Sequence, residues 1–105
     1  MPDLSFIPEV PAYIGHYCSV PFRDPGSPEL AASVSDALIE HPMATVLVLE
    51  NHGQIALGKN PAEALRRAEF FELACRICVV GQDLRRYTND TRKRLESYGR
   101  SPTGE

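Results

Sequence analysis

No apolar run in this 105-residue chain reaches the ~18 residues that a membrane-spanning helix needs. The Met1-Pro2-Asp3 start carries no basic stretch of the kind that opens an export signal. The expectation is a cytoplasmic protein with no membrane partner. Positive charge is also in short supply. Eleven Lys and Arg against 14 Asp and Glu leave a formal net charge of −3, so nucleic acid, which needs a dense positive surface, is not an expected partner either. The local basic run of Arg85, Arg86, Arg92, Lys93, Arg94 and Arg100 reads as the solvated face of a helix. Cysteine is scarce and odd in number, three in all, which fits reduced thiols rather than a disulfide framework. The chain is too short for two independent cores, so residues 1–105 are read as a single domain.

What is present falls into three stretches: a lead-in over 1–26, a core over 27–82 and a basic helical tail over 83–105. Five prolines in the first 26 residues preclude a regular helix there and predict an extended, turning lead-in, with a short edge strand over 17–22. Ser27-Pro28-Glu29 reads as an N-cap, a proline in the first turn and an acid at the positive end of the helix dipole. Leu30, Val34, Ala37 and Leu38 recur at helical spacing until His41-Pro42 ends the pattern. The run over 45–49, Thr-Val-Leu-Val-Leu, predicts a strand covered on both faces. Asn51-His52-Gly53 then bends the chain into a second strand over 54–58, with Gly53 expected to supply any positive φ.

Asn60-Pro61-Ala62-Glu63 repeats the helix-start pattern, with Glu63 as capping-box partner. The helix that follows carries a stripe through Leu65, Ala68, Phe71, Cys75 and Val79, widened by Phe70, Leu73, Ala74 and Val80. An apolar face that broad predicts a second covering surface. Gly81 is the expected terminator, with a more exposed helix over 83–98 and a frayed end over 101–105.

Among residues able to carry chemistry, His52 stands out because a turn between two buried strands holds an imidazole rigidly. From spacing alone it is either a turn residue bonded to backbone or a zinc ligand. Cys75-Arg76-Ile77-Cys78 lies inside a helix on its apolar side, where thiols pack as small core residues rather than act in redox exchange. A Cys3His zinc site from His16, Cys18, Cys75 and Cys78 remains a rival reading. His41 reads as an exposed cation at a helix carboxyl end.

The stretch over 20–30, the strand ending in Asn51-His52-Gly53, and Gly58-Lys59 leading into Glu63-Ala64-Leu65-Arg66-Arg67-Ala68-Glu69 resemble, in order and spacing, the second half of the class II aldolase/adducin family. The resemblance covers about residues 7–82, roughly half of a family domain. It implies an α/β fold: a partial three-layer α/β/α class II aldolase-like sheet with two or three helices. In the family the histidine of the Asn-His-Gly turn is one of three histidine ligands to a catalytic zinc, which by motif is His52. The other two come from a His-x-His pair that this sequence does not contain, and the family's catalytic glutamate also falls in the part not matched. His16-Tyr17-Cys18 has similar spacing but aligns after that pair, so no ligand role passes to it. Tyrosines near the carboxyl end donate protons in some relatives, which makes Tyr87 a weak catalytic candidate. Glu50, one residue from the turn, is read as structural.

By resemblance, the chain is a truncated or split member of this zinc-dependent lyase family, inactive when isolated. A completed site would act on a small hydroxy-carbonyl or sugar-phosphate substrate in carbohydrate metabolism, with zinc stabilising an enediolate. The alternative is a non-catalytic interaction module similar to the head of adducin. Either reading implies a homo-oligomer or a companion chain that supplies the missing half.

Overall fold

The computed structural model describes residues 2–81 and 88–99. Strand β1 (His16–Val20) is followed by helix α1 (Pro28–Glu40), strands β2 (Ala44–Leu49) and β3 (Gly53–Ala56), the long helix α2 (Pro61–Val80) and α3 (Asn89–Gly99). The sheet order is β1-β2-β3, with β1 parallel to β2 and β2 antiparallel to β3. A parallel pair requires a crossover, and α1 provides it.

The sheet separates two cores. Side-chain alternation sends Val46 and Val48 of β2 to one face and Leu47 and Leu49 to the other. Val46 and Leu47 are both fully buried, which is why this run lacks the polar alternation of a half-exposed strand. On the first face, Val46 packs with Phe71 and Ala74 of α2. On the second, Leu47 and Leu49 pack with Ala37, Leu30 and Val34 of α1. The molecule is therefore a three-layer α/β/α arrangement around a three-stranded sheet, as the resemblance implies.

Both helix starts take the form that the sequence predicts. The Ser27 hydroxyl accepts the Leu30 N–H at 3.1 Å, and the Asn60 carboxamide oxygen accepts the Glu63 N–H at 2.8 Å. Glu63 reaches back one residue further than a standard capping box and accepts the N–H of Lys59 at 2.8 Å. Arg67, one turn on, pairs with Glu63 at 3.2 Å and donates to the carbonyls of Leu57 and Tyr13, both at 2.8 Å. One guanidinium thus joins the start of α2 to the end of β3 and to the lead-in.

Three expectations need correction. The lead-in is not simply extended: Val10–Ile14 forms a π-helical turn closed by Gly15, whose φ is 71°. Pro11 sits in its first turn, where a missing N–H leaves no bond unmade. This segment also enters the core, since Leu4, Val10 and Ile14 are buried against α2. The second correction concerns α2, in which Leu65 and Val79 of the expected buried stripe point outward, 59% and 82% exposed, while Ala74 is fully buried. The third concerns the β2–β3 turn, where Asn51 rather than Gly53 takes the left-handed conformation, with φ 59°. Asparagine tolerates that region because its short polar side chain bonds locally.

Gly81 caps α2 through its N–H to the Ile77 carbonyl, without a positive φ. The expected tail helix is present as α3, which packs on the π-helical turn and is fastened by an Arg92–Asp3 ion pair of 3.0 Å. Tyr87 and the terminal stretch over 101–105 lie outside the described residues.

Candidate functional site

His52 is held by backbone bonds from two strands. Its own N–H donates to the Leu49 carbonyl at 3.0 Å, closing the turn, and the neighbouring Glu50 N–H donates to the Val20 carbonyl at the end of β1, also at 3.0 Å. The turn is therefore fixed to the carboxyl ends of both parallel strands, the end at which open α/β sheets present ligand-binding residues. The His52 side chain is exposed. Among the described residues nothing hydrogen-bonds or ion-pairs with its imidazole. Glu50 is exposed as well, and what it contributes to the turn is its backbone.

The other two histidines lie at the far end of the sheet. His16 opens β1 and His41 caps α1 just before β2, and both line a shallow depression of about 190 Å³ with Met43. The length of β2, about 17 Å from first to last residue at the usual rise, separates that end from His52. His41 is exposed at a helix carboxyl end as expected.

Nor does Cys18 meet the other two cysteines. Cys18 is buried on the α1 side of the sheet, and Cys75 and Cys78 pack on the α2 side. All three are free thiols. Burial, with Glu40 adding to it, pushes the Cys18 thiol above its ordinary pKa. Burial, then Glu72 and Cys78, does the same for Cys75. A raised pKa keeps a thiol protonated, the opposite of what a redox or metal-ligating cysteine requires. The structure thus removes the Cys3His reading, because the sheet itself stands between its proposed ligands.

Among the described residues no group of three His, Cys, Asp or Glu side chains is placed to hold a metal ion. A catalytic zinc needs about three protein ligands, so these residues alone do not fit one, and His52 is a single donor. What the chain does provide is rigidity behind that donor, through the paired backbone bonds of the turn and the close junction that follows β3. At Gly58 a Cβ would lie 2.6 Å from the Ala64 nitrogen, so glycine is required for the chain to pass the start of α2. Sequence reasoning missed two anchoring residues. Arg67 enters the sequence reading only as part of the helix-start motif, and Tyr17 only as the first residue of an edge strand, yet the Tyr17 hydroxyl accepts the Leu4 N–H at 2.7 Å and donates to the Pro2 carbonyl at 3.0 Å. Apart from Glu63, one turn back on the same helix, their partners are 10 to 54 residues away, beyond any local pattern.

Comparison with known proteins agrees with this architecture. The chain overlays on YgbL from Klebsiella pneumoniae, a candidate aldolase/epimerase/decarboxylase, with a TM-score of 0.72 and 28% identity, over 86% of this chain and 43% of that one. YgbL from Escherichia coli, described in the same terms, matches with a TM-score of 0.70 and 27% identity, over 90% of this chain and 45% of that one. The chain therefore spans less than half the length of these structural relatives. No curated protein matches the sequence. The family described as "Class II Aldolase and Adducin N-terminal domain" matches residues 4–79, most of the chain and all of the two-core sheet, and it is to this family that the chain belongs.

Proposed function

We propose that this chain is the His52-bearing part of a zinc-dependent class II aldolase-like lyase, acting on a small hydroxy-carbonyl or sugar-phosphate compound. The remaining metal ligands come from residues outside those described, in the same polypeptide or in another. One observation carries the reading: an unengaged imidazole is fixed by backbone bonds at the carboxyl end of two parallel strands, in a fold whose relatives are described as aldolase, epimerase or decarboxylase candidates. The role of this chain's residues is positional. Leu49 and Val20 fix the turn, Asn51 gives it its left-handed residue, and Gly58 with Arg67 locks β3 to α2. The rival reading, an adducin-like interaction module, is favoured by the absence, among the described residues, of any group of three side chains placed to hold a metal ion.

Co-expression with the part of a YgbL protein that this chain does not match separates the two. The proposal expects zinc retained by the complex after dialysis and lost in His52→Ala. Because the His52 side chain has no described partner, the same variant should change stability by no more than about 0.5 kcal/mol. Equal metal retention by wild type and His52→Ala would remove His52 from the site and leave the scaffold reading.

A further inference from the structure

The end of the sheet away from the His52 turn brings together three donors that the proposed lyase chemistry does not use. His16 opens β1, His41 caps α1, and Met43 stands just before β2. Parallel pairing sets His16 opposite Ala44, next in sequence to Met43, with a bulge in the register between His16 and Tyr17. A bulge of this kind re-aims the side chain beside it. His16, His41 and Met43 line one depression of about 190 Å³, and His16 and Met43 share a second of about 150 Å³.

The backbone beneath these residues is held from several sides. The His41 N–H donates to the Ala37 carbonyl at 2.8 Å, and the Ala44 N–H donates to the His41 carbonyl at 3.0 Å, closing the turn into β2. The Thr45 hydroxyl donates to the Ile14 carbonyl at 2.6 Å, with the His16 carbonyl 3.3 Å away, and so ties the entry of β1 to β2. The side chains themselves are unengaged. Both imidazoles are exposed, and among the described residues neither takes part in a hydrogen bond or ion pair. Met43 is 61% exposed, its thioether left in the open.

Two imidazoles and a thioether form a neutral, soft donor set. Imidazole suits several transition metals, but methionine sulfur is a copper ligand that magnesium, calcium and structural or catalytic zinc sites do not use. Among the described residues no carboxylate or thiol joins the two imidazoles in a group of three, so a hard divalent ion finds no oxygen donors here. We infer that His16, His41 and Met43 form a copper(I) site at the amino-terminal ends of β1 and β2. It lies the length of β2 from His52 and is independent of the proposed lyase chemistry.

Anaerobic titration of the 105-residue chain with copper(I), kept reduced by ascorbate, tests this. The chain holds two methionines, Met1 and Met43, so labelling the methionine methyl groups gives a direct magnetic-resonance report on Met43. The Met43 methyl and the His16 and His41 imidazole signals should shift together and saturate at a single copper ion per chain. In competition with a chromogenic copper(I) chelator, Met43→Leu and His41→Ala should each weaken binding by about tenfold or more, with circular dichroism confirming the fold. His52→Ala and Cys75→Ser/Cys78→Ser should bind as the wild type does. Copper kept by Met43→Leu but lost in Cys75→Ser/Cys78→Ser would place the ion on the thiols and overturn the inference. So would imidazole shifts without movement of the Met43 methyl, or a wild type that yields all its copper to the chelator.

Discussion

Asn51 and His52 divide the work of the turn between them: one accepts a conformation that most residues resist, and the other is thereby presented without being tied down. At the opposite end of the molecule, Asp3 is engaged from two directions. Burial alone would raise its pKa. Hydrogen bonds from the Ser5 side chain and backbone, together with the charge and hydrogen bond of Arg92, outweigh that and hold the carboxyl below its ordinary value. A depressed folded-state pKa adds stability above the unfolded value, and this stability is lost as pH falls through the folded one. The gap in melting temperature between wild type and Asp3→Asn should therefore be present at neutral pH and narrow below about pH 4. Asp3 is close to half exposed, so the gap will be small. A gap of constant size into strong acid would show that the ion pair with Arg92 does not hold α3 to the lead-in.

At the scale of elements, the junction from β3 to α2 is the most closely packed of the described glycine positions. Gly58→Ala would drive a methyl group against backbone atoms of Ala64 and Glu63, which cannot rotate away as a flexible side chain would. The expected loss is about 1–3 kcal/mol in denaturant unfolding, and a loss below 0.5 kcal/mol would mean that α2 can slide along the sheet. Elements with local signals were legible in the sequence. Ser27-Pro28 and Asn60-Pro61 announce α1 and α2 because capping is settled within four residues, and the aliphatic run of β2 announces burial on both faces. The π-helical turn and the outward rotation of Leu65 and Val79 were not legible. Each depends on distant partners: Arg67 holds the carbonyl of Tyr13 and Thr45 that of Ile14, while the angle at which α2 meets the sheet decides which of its many apolar residues are covered. The candidate site divides in the same way. His52 could be found from a three-residue turn, but the separation of Cys18 from Cys75 and Cys78 depends on which face of the sheet each occupies.

For the whole molecule, a three-stranded sheet between α1 and α2 is a sound core with unfinished surroundings. Both outer strands present free edges among the described residues, no described helix is long and apolar enough to cross a membrane, and the relatives extend to more than twice the matched length. Free edges and an exposed helix face are the features that assembly covers, so partner contacts and metal chemistry are expected to meet on one assembled structure rather than on this chain alone. The central proposal is that His52 serves as one ligand of a metal site that the described residues do not complete. Elemental analysis of the purified 105-residue chain, after dialysis to remove loosely held metal, tests it most directly. The account predicts zinc far below one per chain, since a single imidazole retains metal poorly. Close to one zinc per chain, lost in His52→Ala, would contradict it by showing that the chain assembles a complete site from its own residues.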